Sequence, residues 1–199
     1  MKKLIALSAL TVLSATAIAE AKTENGLNYN EVSGEYVSQS VNTTDGTKTF
    51  TGYGINASAL VSESIFVLGS YASTSRTADG EKTTLGQSQI GLGYRFGLSE
   101  STDLNLVGSY SSTPITGGSI TGYMVGVGVR SLVSPDVEAD IAAIYSTSKD
   151  SSTDPTTTSS GSGFDAGLKF KLSNNLFIGI NYLSVKDLAQ YKIGIGYRF

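Results

Sequence analysis

The chain lacks several residue types, and each absence excludes a kind of chemistry. It has no cysteine, so disulfides, thiolate metal sites and lipid attachment through an N-terminal cysteine are excluded. It has no histidine, the side chain that most often transfers protons near neutral pH. Proline is nearly absent, with 3 in 199 residues. The net charge of −3 and the lack of a basic stripe argue against a nucleic-acid partner.

Long hydrophobic runs are also missing, except at the N-terminus. Lys2 and Lys3 precede an apolar stretch that reaches Ile18, and Ala17 and Ala19 form an A-x-A cleavage site. The stretch is shorter than the roughly 20 residues that span a bilayer, which argues against a membrane anchor. We therefore predict a cleaved signal peptide over residues 1–19, with 1–21 as the alternative, and one mature domain over residues 20–199.

The last residues of the chain show a strict alternation of large apolar side chains with small or charged ones. Lys192, Gly194, Gly196 and Arg198 separate the members of the apolar set. A period of two predicts a β-strand with one apolar and one polar face. The apolar set is Tyr191, Ile193, Ile195, Tyr197 and Phe199.

The same alternation recurs along the mature chain and predicts ten strands. Each segment has a length close to the 9–11 residues of a tilted membrane strand. Eight strands remain the alternative if the first two segments do not cross a membrane. The first segment needs a bulge near Glu31 to keep Tyr29 and Tyr36 on one face. The segments are 27–39, 49–60, 64–76, 84–97, 103–112, 120–132, 137–148, 162–172, 175–186 and 188–199.

The connections between the segments are predicted to alternate between short turns and longer loops. Short turns with turn-forming residues follow segments two, four, six and eight, at 61–63, 98–101, 134–136 and 173–174. Longer loops rich in Ser, Thr, Gly and Asp are expected at 40–48, 77–83, 113–119 and 149–161, with a tight final turn at Lys186 and Asp187. This asymmetry is typical of bacterial membrane barrels.

The polar faces of the segments carry charges of both signs in near balance. This balance has two interpretations: a constriction that selects ions, or a core of ion pairs that fills a narrow lumen, which we favour. Inward glycines such as Gly93 and Gly196 either leave room for water or let bulky neighbours cross the lumen. The predicted lumen charges are Glu35, Arg95, Asp103, Arg130, Glu138, Asp140, Asp165, Lys169, Lys171, Lys192 and Arg198. Those expected to form one network at a common barrel end are Arg95, Asp103, Arg130, Glu138, Lys171 and Arg198.

A soluble secreted β-sandwich is the main structural alternative. Three observations argue against it: nearly every segment has only one apolar face, aromatic residues lie near the segment ends with aliphatic residues between them, and the last strand runs to a terminal Phe199. The first two features suit a lipid-facing band bordered by aromatic residues.

On its alternating strands, terminal aromatic strand, signal peptide and turn pattern, the chain resembles the small outer-membrane β-barrel proteins of Gram-negative bacteria, which include OmpA-like and OmpX-like barrels. The resemblance implies an all-β, antiparallel, up-and-down transmembrane barrel in the outer membrane, without the periplasmic domain of full-length OmpA. It also implies that the apolar set of the last strand acts as an assembly signal. The implied partners are outer-membrane lipid and lipopolysaccharide, the barrel assembly machinery and periplasmic chaperones. We expect a monomer with no cofactor and no metal.

The resemblance also bears on function. Enzymes among outer-membrane barrels depend on an essential histidine, so we do not expect this chain to be an enzyme. The favoured hypothesis is a structural role in the envelope, with a lumen filled by a charged network. A narrow porin-like channel for ions or small polar solutes is one alternative. Adhesion or surface recognition through the outer loops, above all 149–161, is another.

Overall fold

The computed structural model describes residues 26–43, 46–78, 80–115, 117–152 and 157–199, so the predicted signal peptide lies outside it. Ten antiparallel strands form a closed up-and-down barrel in which each strand pairs with its neighbours in sequence and β1 pairs with β10. The prediction of ten strands is confirmed. The strands are β1 Glu31–Thr43, β2 Gly46–Leu60, β3 Ile65–Ala78, β4 Glu81–Ser99, β5 Thr102–Ile115, β6 Gly118–Ser134, β7 Val137–Asp150, β8 Thr157–Lys171, β9 Leu176–Val185 and β10 Leu188–Arg198.

The outer surface of the barrel is apolar and exposed, as alternation requires of strands that turn one face away from the lumen. Tyr53 is 74% exposed and Ile90 is 67% exposed. A continuous band of such side chains is stable in lipid, whereas in water it would be an aggregation site. No helix in the described part of the chain is long and apolar enough to cross a membrane.

One outward aromatic residue occurs near the middle of every strand except β4. The strand register places six of these residues in three directly opposed pairs: Tyr36 and Tyr53, Tyr110 and Tyr123, and Tyr182 and Tyr191. The ring centres of these pairs lie 5.8, 5.2 and 4.6 Å apart. We call this set the aromatic girdle: Tyr36, Tyr53, Tyr71, Tyr110, Tyr123, Tyr145, Phe164, Tyr182 and Tyr191.

The connections differ from the predicted loops at one end of the barrel. Residues 40–48, 77–83 and 113–119 are mostly strand, which leaves connections at 44–45, 79–80 and 116–117. The expected loop 149–161 shrinks to 151–156. Ser and Thr have strand propensity when a neighbouring strand offers hydrogen-bond partners, so the polar segments continue the ladder instead of forming loops. The tight turn at Lys186 and Asp187 is confirmed, and Lys186 has a positive φ of 48°.

The two ends of the barrel are named by their residues. The closed end is where β1 begins at Glu31 and β10 ends at Arg198, and it carries the turns at 61–64, 100–101, 135–136 and 172–175. The loop end carries the connections 44–45, 79–80, 116–117, 151–156 and 186–187.

The segment before β1 enters the lumen, which corrects the expected bulge near Glu31. Tyr29 precedes the strand and is 1% exposed, whereas Tyr36 points outward. The two tyrosines therefore need not share a face, and β1 pairs regularly with β2 from Glu31 onward. The energy gained by burying Tyr29 among lumen side chains, which lie far away in sequence, decides its direction.

Candidate functional site

A charged cluster of five side chains crosses the lumen at the closed end. Arg130 on β6 lies at its centre, and its Nε donates to Glu138 Oε1 at 2.7 Å. Arg198 Nη2 donates to Glu138 Oε2 at 3.0 Å, so one carboxylate joins two guanidinium groups. Glu31 faces both arginines and forms an ion pair with Lys169. The cluster therefore connects β1, β6, β7, β8 and β10 across the interior.

A second ion pair lies beside this cluster at the same end, because Asp103 on β5 is the register partner of Arg130 on β6. Arg95 on β4 donates to both oxygens of Asp103 on β5, from Nε at 2.7 Å and from Nη2 at 3.2 Å. Asp103 is fully buried. Bidentate pairing of this kind supplies the partners that a buried carboxylate needs.

Tyr29 joins the two charged groups. Its hydroxyl donates to Asp103 Oδ2 at 2.9 Å and lies 3.0 Å from Asn105 Oδ1. Burial raises the pKa of this hydroxyl above its usual range, so it stays protonated and remains a donor. The guanidinium carbon of Arg130 lies 4.4 Å from the centre of the Tyr29 ring, within cation–π distance.

Residues 26–30 form the closing segment, which occupies the lumen at the closed end. Arg130 Nη2 donates to the Asn28 carbonyl oxygen at 2.8 Å, and Ser58 Oγ donates to the Tyr29 carbonyl oxygen at 2.7 Å. The backbone N–H of Leu60 donates to Asn30 Oδ1 at 2.8 Å. Hydrogen bonds from the barrel wall therefore hold both the backbone and the side chains of the closing segment. The apolar part of the closure consists of Leu27, Tyr29, Leu60 and Phe66.

Two phenyl rings fill space that inward glycines leave open. A Cβ at Gly93 would come within 2.0 Å of the Phe66 ring, and a Cβ at Gly196 within 2.1 Å of the Phe177 ring. Gly93 and Gly196 are therefore inward glycines that let a bulky neighbouring side chain cross the lumen, which is one of the two explanations given for such glycines above. Phe177 in turn packs under Arg198, whose guanidinium carbon lies 4.9 Å from the ring centre.

A cavity of about 330 Å³, lined by both apolar and charged side chains, follows the closure towards the loop end. In the wall of the cavity, Lys192 Nζ lies 3.9 Å from Glu35 Oε2, and Asn181 Nδ2 donates to Asp165 Oδ1 at 2.8 Å. Asp140 also lines it, next to Gly167. Gly126, Gly128 and Gly194 also line the cavity, and a Cβ at Gly128 or Gly194 would come within 2.5 or 2.4 Å of a backbone carbonyl oxygen of the neighbouring strand. Within the described residues, no three carboxylates are grouped to hold a metal ion.

The structure separates the predicted lumen charges into three sets. Lys171 lies at the rim, exposed, and takes part in no ion pair of the described chain, in contrast to the network predicted for it. Glu31 and Tyr29 also belong to the closure, although neither was predicted to lie in the lumen. Glu31 has the same parity as Glu35, so strict alternation without a bulge would have placed it in the lumen. The residues at the closure are Arg95, Asp103, Arg130, Glu138, Lys169 and Arg198, and those along the cavity are Glu35, Asp140, Asp165 and Lys192.

The residues assigned to the assembly signal all lie on the outer surface of β10 or directly after it. Each is exposed, from 42% at Phe199 to 59% at Tyr191. Their role in assembly stays a prediction. The set is Tyr191, Ile193, Ile195, Tyr197 and Phe199.

The closed ten-stranded barrel with an apolar outside and a charged lumen is matched by a known family. The family model described as "Outer membrane protein beta-barrel domain" matches residues 5–199. The chain belongs to this family. Its place is therefore the outer membrane, and the apolar band of the barrel faces lipid. No curated protein matches the chain.

Several solved outer-membrane barrels are similar to this family member. An outer membrane channel from Pseudomonas putida F1 is 9% identical, with a TM-score of 0.53, and the match covers 87% of this chain and 97% of that one. The KdgM porin in complex with oligogalacturonate is 11% identical over 85% of this chain and 99% of its own, with a TM-score of 0.47. Ail of Yersinia pestis is 21% identical, with a TM-score of 0.36, and the match covers 86% of this chain and 99% of that one.

Proposed function

We propose that this protein is a closed structural barrel of the outer membrane that does not conduct ions. The observation that carries the proposal is the closing segment, with Leu27 and Tyr29 each 1% exposed in the mouth of the barrel. The charged cluster around Arg130 and the Arg95–Asp103 pair fill the space beside it. Both groups consist of mutually paired charges, which is typical of a packed interior and supports a barrel that is closed to ions.

The side of the membrane follows from the same architecture. An even strand count puts the beginning of β1 and the end of β10 on one side, and in bacterial barrels this is the periplasmic side. We assign the closed end to the periplasm and the loop end to the cell exterior. The long polar strand ends at the loop end, such as those of β4 and β6, support this assignment because they extend beyond the apolar band.

Single-channel recording tests the proposal. The purified protein, shown to be folded by its heat-dependent gel mobility, is expected to produce no current steps in a planar bilayer. A variant with Leu27→Ala and Tyr29→Ala removes the apolar closure and is expected to leak. The matched control is Val32→Ala, which shortens an exposed residue on the outside of β1. Reproducible current steps from the unaltered protein would overturn the proposal.

A narrow channel is the second candidate function, and the 330 Å³ cavity favours it. In that case the closing segment would move aside, and an ion would pass Arg130 and the charges of the cavity. Neutralising Arg130 or changing Lys192→Gln would then shift the reversal potential measured in a salt gradient. An unchanged reversal potential in conducting protein would exclude a selective role for these cations. Display of outer loops finds less support, since most loop-end connections are short.

A further inference from the structure

The outward positions on the loop side of the aromatic girdle carry hydroxyl side chains around most of the barrel. Successive outward residues are two positions apart, so the first one beyond Tyr36 is Ser38 and the first beyond Tyr53 is Thr51. The pattern repeats on strand after strand, and Ala189 beside Tyr191 is an exception. We call the set the hydroxyl ring: Ser38, Thr51, Ser73, Ser88, Ser112, Thr121, Thr147, Ser162 and Ser184.

The strand register joins members of the hydroxyl ring in two places and elsewhere sets a member opposite a girdle residue, as Ser73 lies opposite Tyr53 and Ser184 opposite Phe164. Ser38 lies directly opposite Thr51, and Ser112 lies opposite both Ser88 and Thr121 on its two neighbours. None of its members is buried. Further out, the outward side chains of Ser40 and Thr49 lie 3.0 Å apart. Ser75, Ser119 and Ser160 hold the corresponding positions on their strands, whereas β7 has Lys149 there. These side chains therefore form an extended surface of polar groups.

The strands are long enough to hold this surface outside the hydrocarbon. A transmembrane strand needs about 9–11 residues, whereas β4 has 19 and β6 has 17. Aromatic girdles mark the boundary between hydrocarbon and head groups. The hydroxyl ring, one outward position beyond the girdle, therefore lies at the level of the lipid head groups of the outer leaflet.

The chemistry of the hydroxyl ring selects for neutral hydrogen-bonding groups. Every member is Ser or Thr, and a hydroxyl both donates and accepts hydrogen bonds. Recognition of phosphate by charge uses Arg or Lys, and the ring contains neither. Sugar hydroxyls and amides match Ser and Thr, because they also donate and accept without net charge.

We propose that the hydroxyl ring binds the sugars of the outer-leaflet glycolipid, lipopolysaccharide, through uncharged hydrogen bonds. The ring continues the lipid-facing surface of the barrel, so acyl chains pack against the apolar band while the sugars above them meet the hydroxyls. The proposal rests on family membership and on the assignment of the loop end to the exterior. It holds whether or not the lumen conducts.

Unfolding of the barrel in vesicles tests this inference. The folded protein is placed in vesicles of phospholipid alone and in vesicles with lipopolysaccharide in the outer leaflet, and the urea midpoint is measured in each. Lipopolysaccharide is expected to raise the midpoint. The ring variant Thr51→Val, Thr121→Val, Thr147→Val keeps side-chain shape and removes three hydroxyls, so it is expected to lose most of that increase while its midpoint in phospholipid stays the same.

The control variant Thr83→Val, Thr113→Val changes the same residue type on inward positions at the same end of the barrel. It is expected to keep the full increase. High salt should also leave the increase in place, since charge–charge attraction is screened and neutral hydrogen bonds are not. The proposal is overturned if the ring variant keeps the increase, if the control loses it equally, or if high salt abolishes it. Conductance is measured separately, so failure here is distinct from failure of the closed-barrel proposal.

Discussion

Tyr29 lies with its ring 4.4 Å from the guanidinium carbon of Arg130 and its hydroxyl 2.9 Å from Asp103. One side chain from the segment before β1 thus touches both ion-paired groups of the closed end. The contact links residues that are 101 positions (Arg130) and 74 positions (Asp103) away from Tyr29 in sequence, so Tyr29 connects the two groups directly.

Substitutions at Tyr29 should separate the contribution of its ring from that of its hydroxyl. Tyr29→Phe keeps the ring over Arg130 and loses one hydrogen bond, so we expect a loss of about 1 kcal/mol in the free energy of unfolding. Tyr29→Ala also creates a cavity, and we expect a loss of about 3–5 kcal/mol. Urea unfolding in detergent micelles measures both values. Equal losses for the two variants would contradict the role of the ring.

Removing the charge of Glu138 should strongly destabilise the barrel. The Glu138 carboxylate is buried and binds both Arg130 and Arg198, so Glu138→Gln leaves two arginines with one acceptor fewer. Breaking a buried ion pair in this way costs about 3–5 kcal/mol. The control is Glu100→Gln in an exposed turn at the same end, for which we expect a change within about 0.5 kcal/mol. A loss at Glu138 no larger than that at Glu100 would refute the charged closure.

Two lysines on one strand provide a matched test of the lumen network. Lys169 pairs with Glu31 inside the closure, whereas Lys171 has the same parity but lies exposed at the rim. We expect Lys169→Met to lower the urea midpoint and Lys171→Met to leave it nearly unchanged. If both substitutions lower the midpoint equally, Lys171 belongs to the network that the sequence predicts.

The close approach of Phe66 to Gly93 predicts a steric penalty. Gly93→Ala places a methyl group where the ring lies, and overpacking of this kind costs about 1–3 kcal/mol. The smaller side chain of a Phe66→Leu, Gly93→Ala double variant should recover part of the loss. Gly34→Ala is the control, since nothing lies within 4 Å of a Cβ there. Additive losses in the double variant would show that the two residues do not interact.

The number of strands and the direction of most side chains were predictable because they depend on local alternation. Each pair of neighbours such as Tyr197 and Arg198 shows its two faces directly in the sequence, and a barrel in lipid turns the apolar face outward. Loop bounds were less predictable. Whether Ser and Thr near residue 158 form a loop or a strand depends on the neighbouring strand, which the local pattern does not reveal.

The sequence by itself determined an up-and-down barrel with an apolar exterior and a lumen lined by charges of both signs, and it predicted ten strands with eight as the alternative. Only the tertiary structure decided that Tyr29 turns inward, that Glu31 joins Lys169, and that Lys171 stays outside the network. The physical reason is the distance in sequence between the residues that determine each feature. Alternation is a property of adjacent residues, whereas the closure of the barrel is built from ion pairs, ring contacts and buried area that residues gain only when strands distant in sequence meet across the lumen.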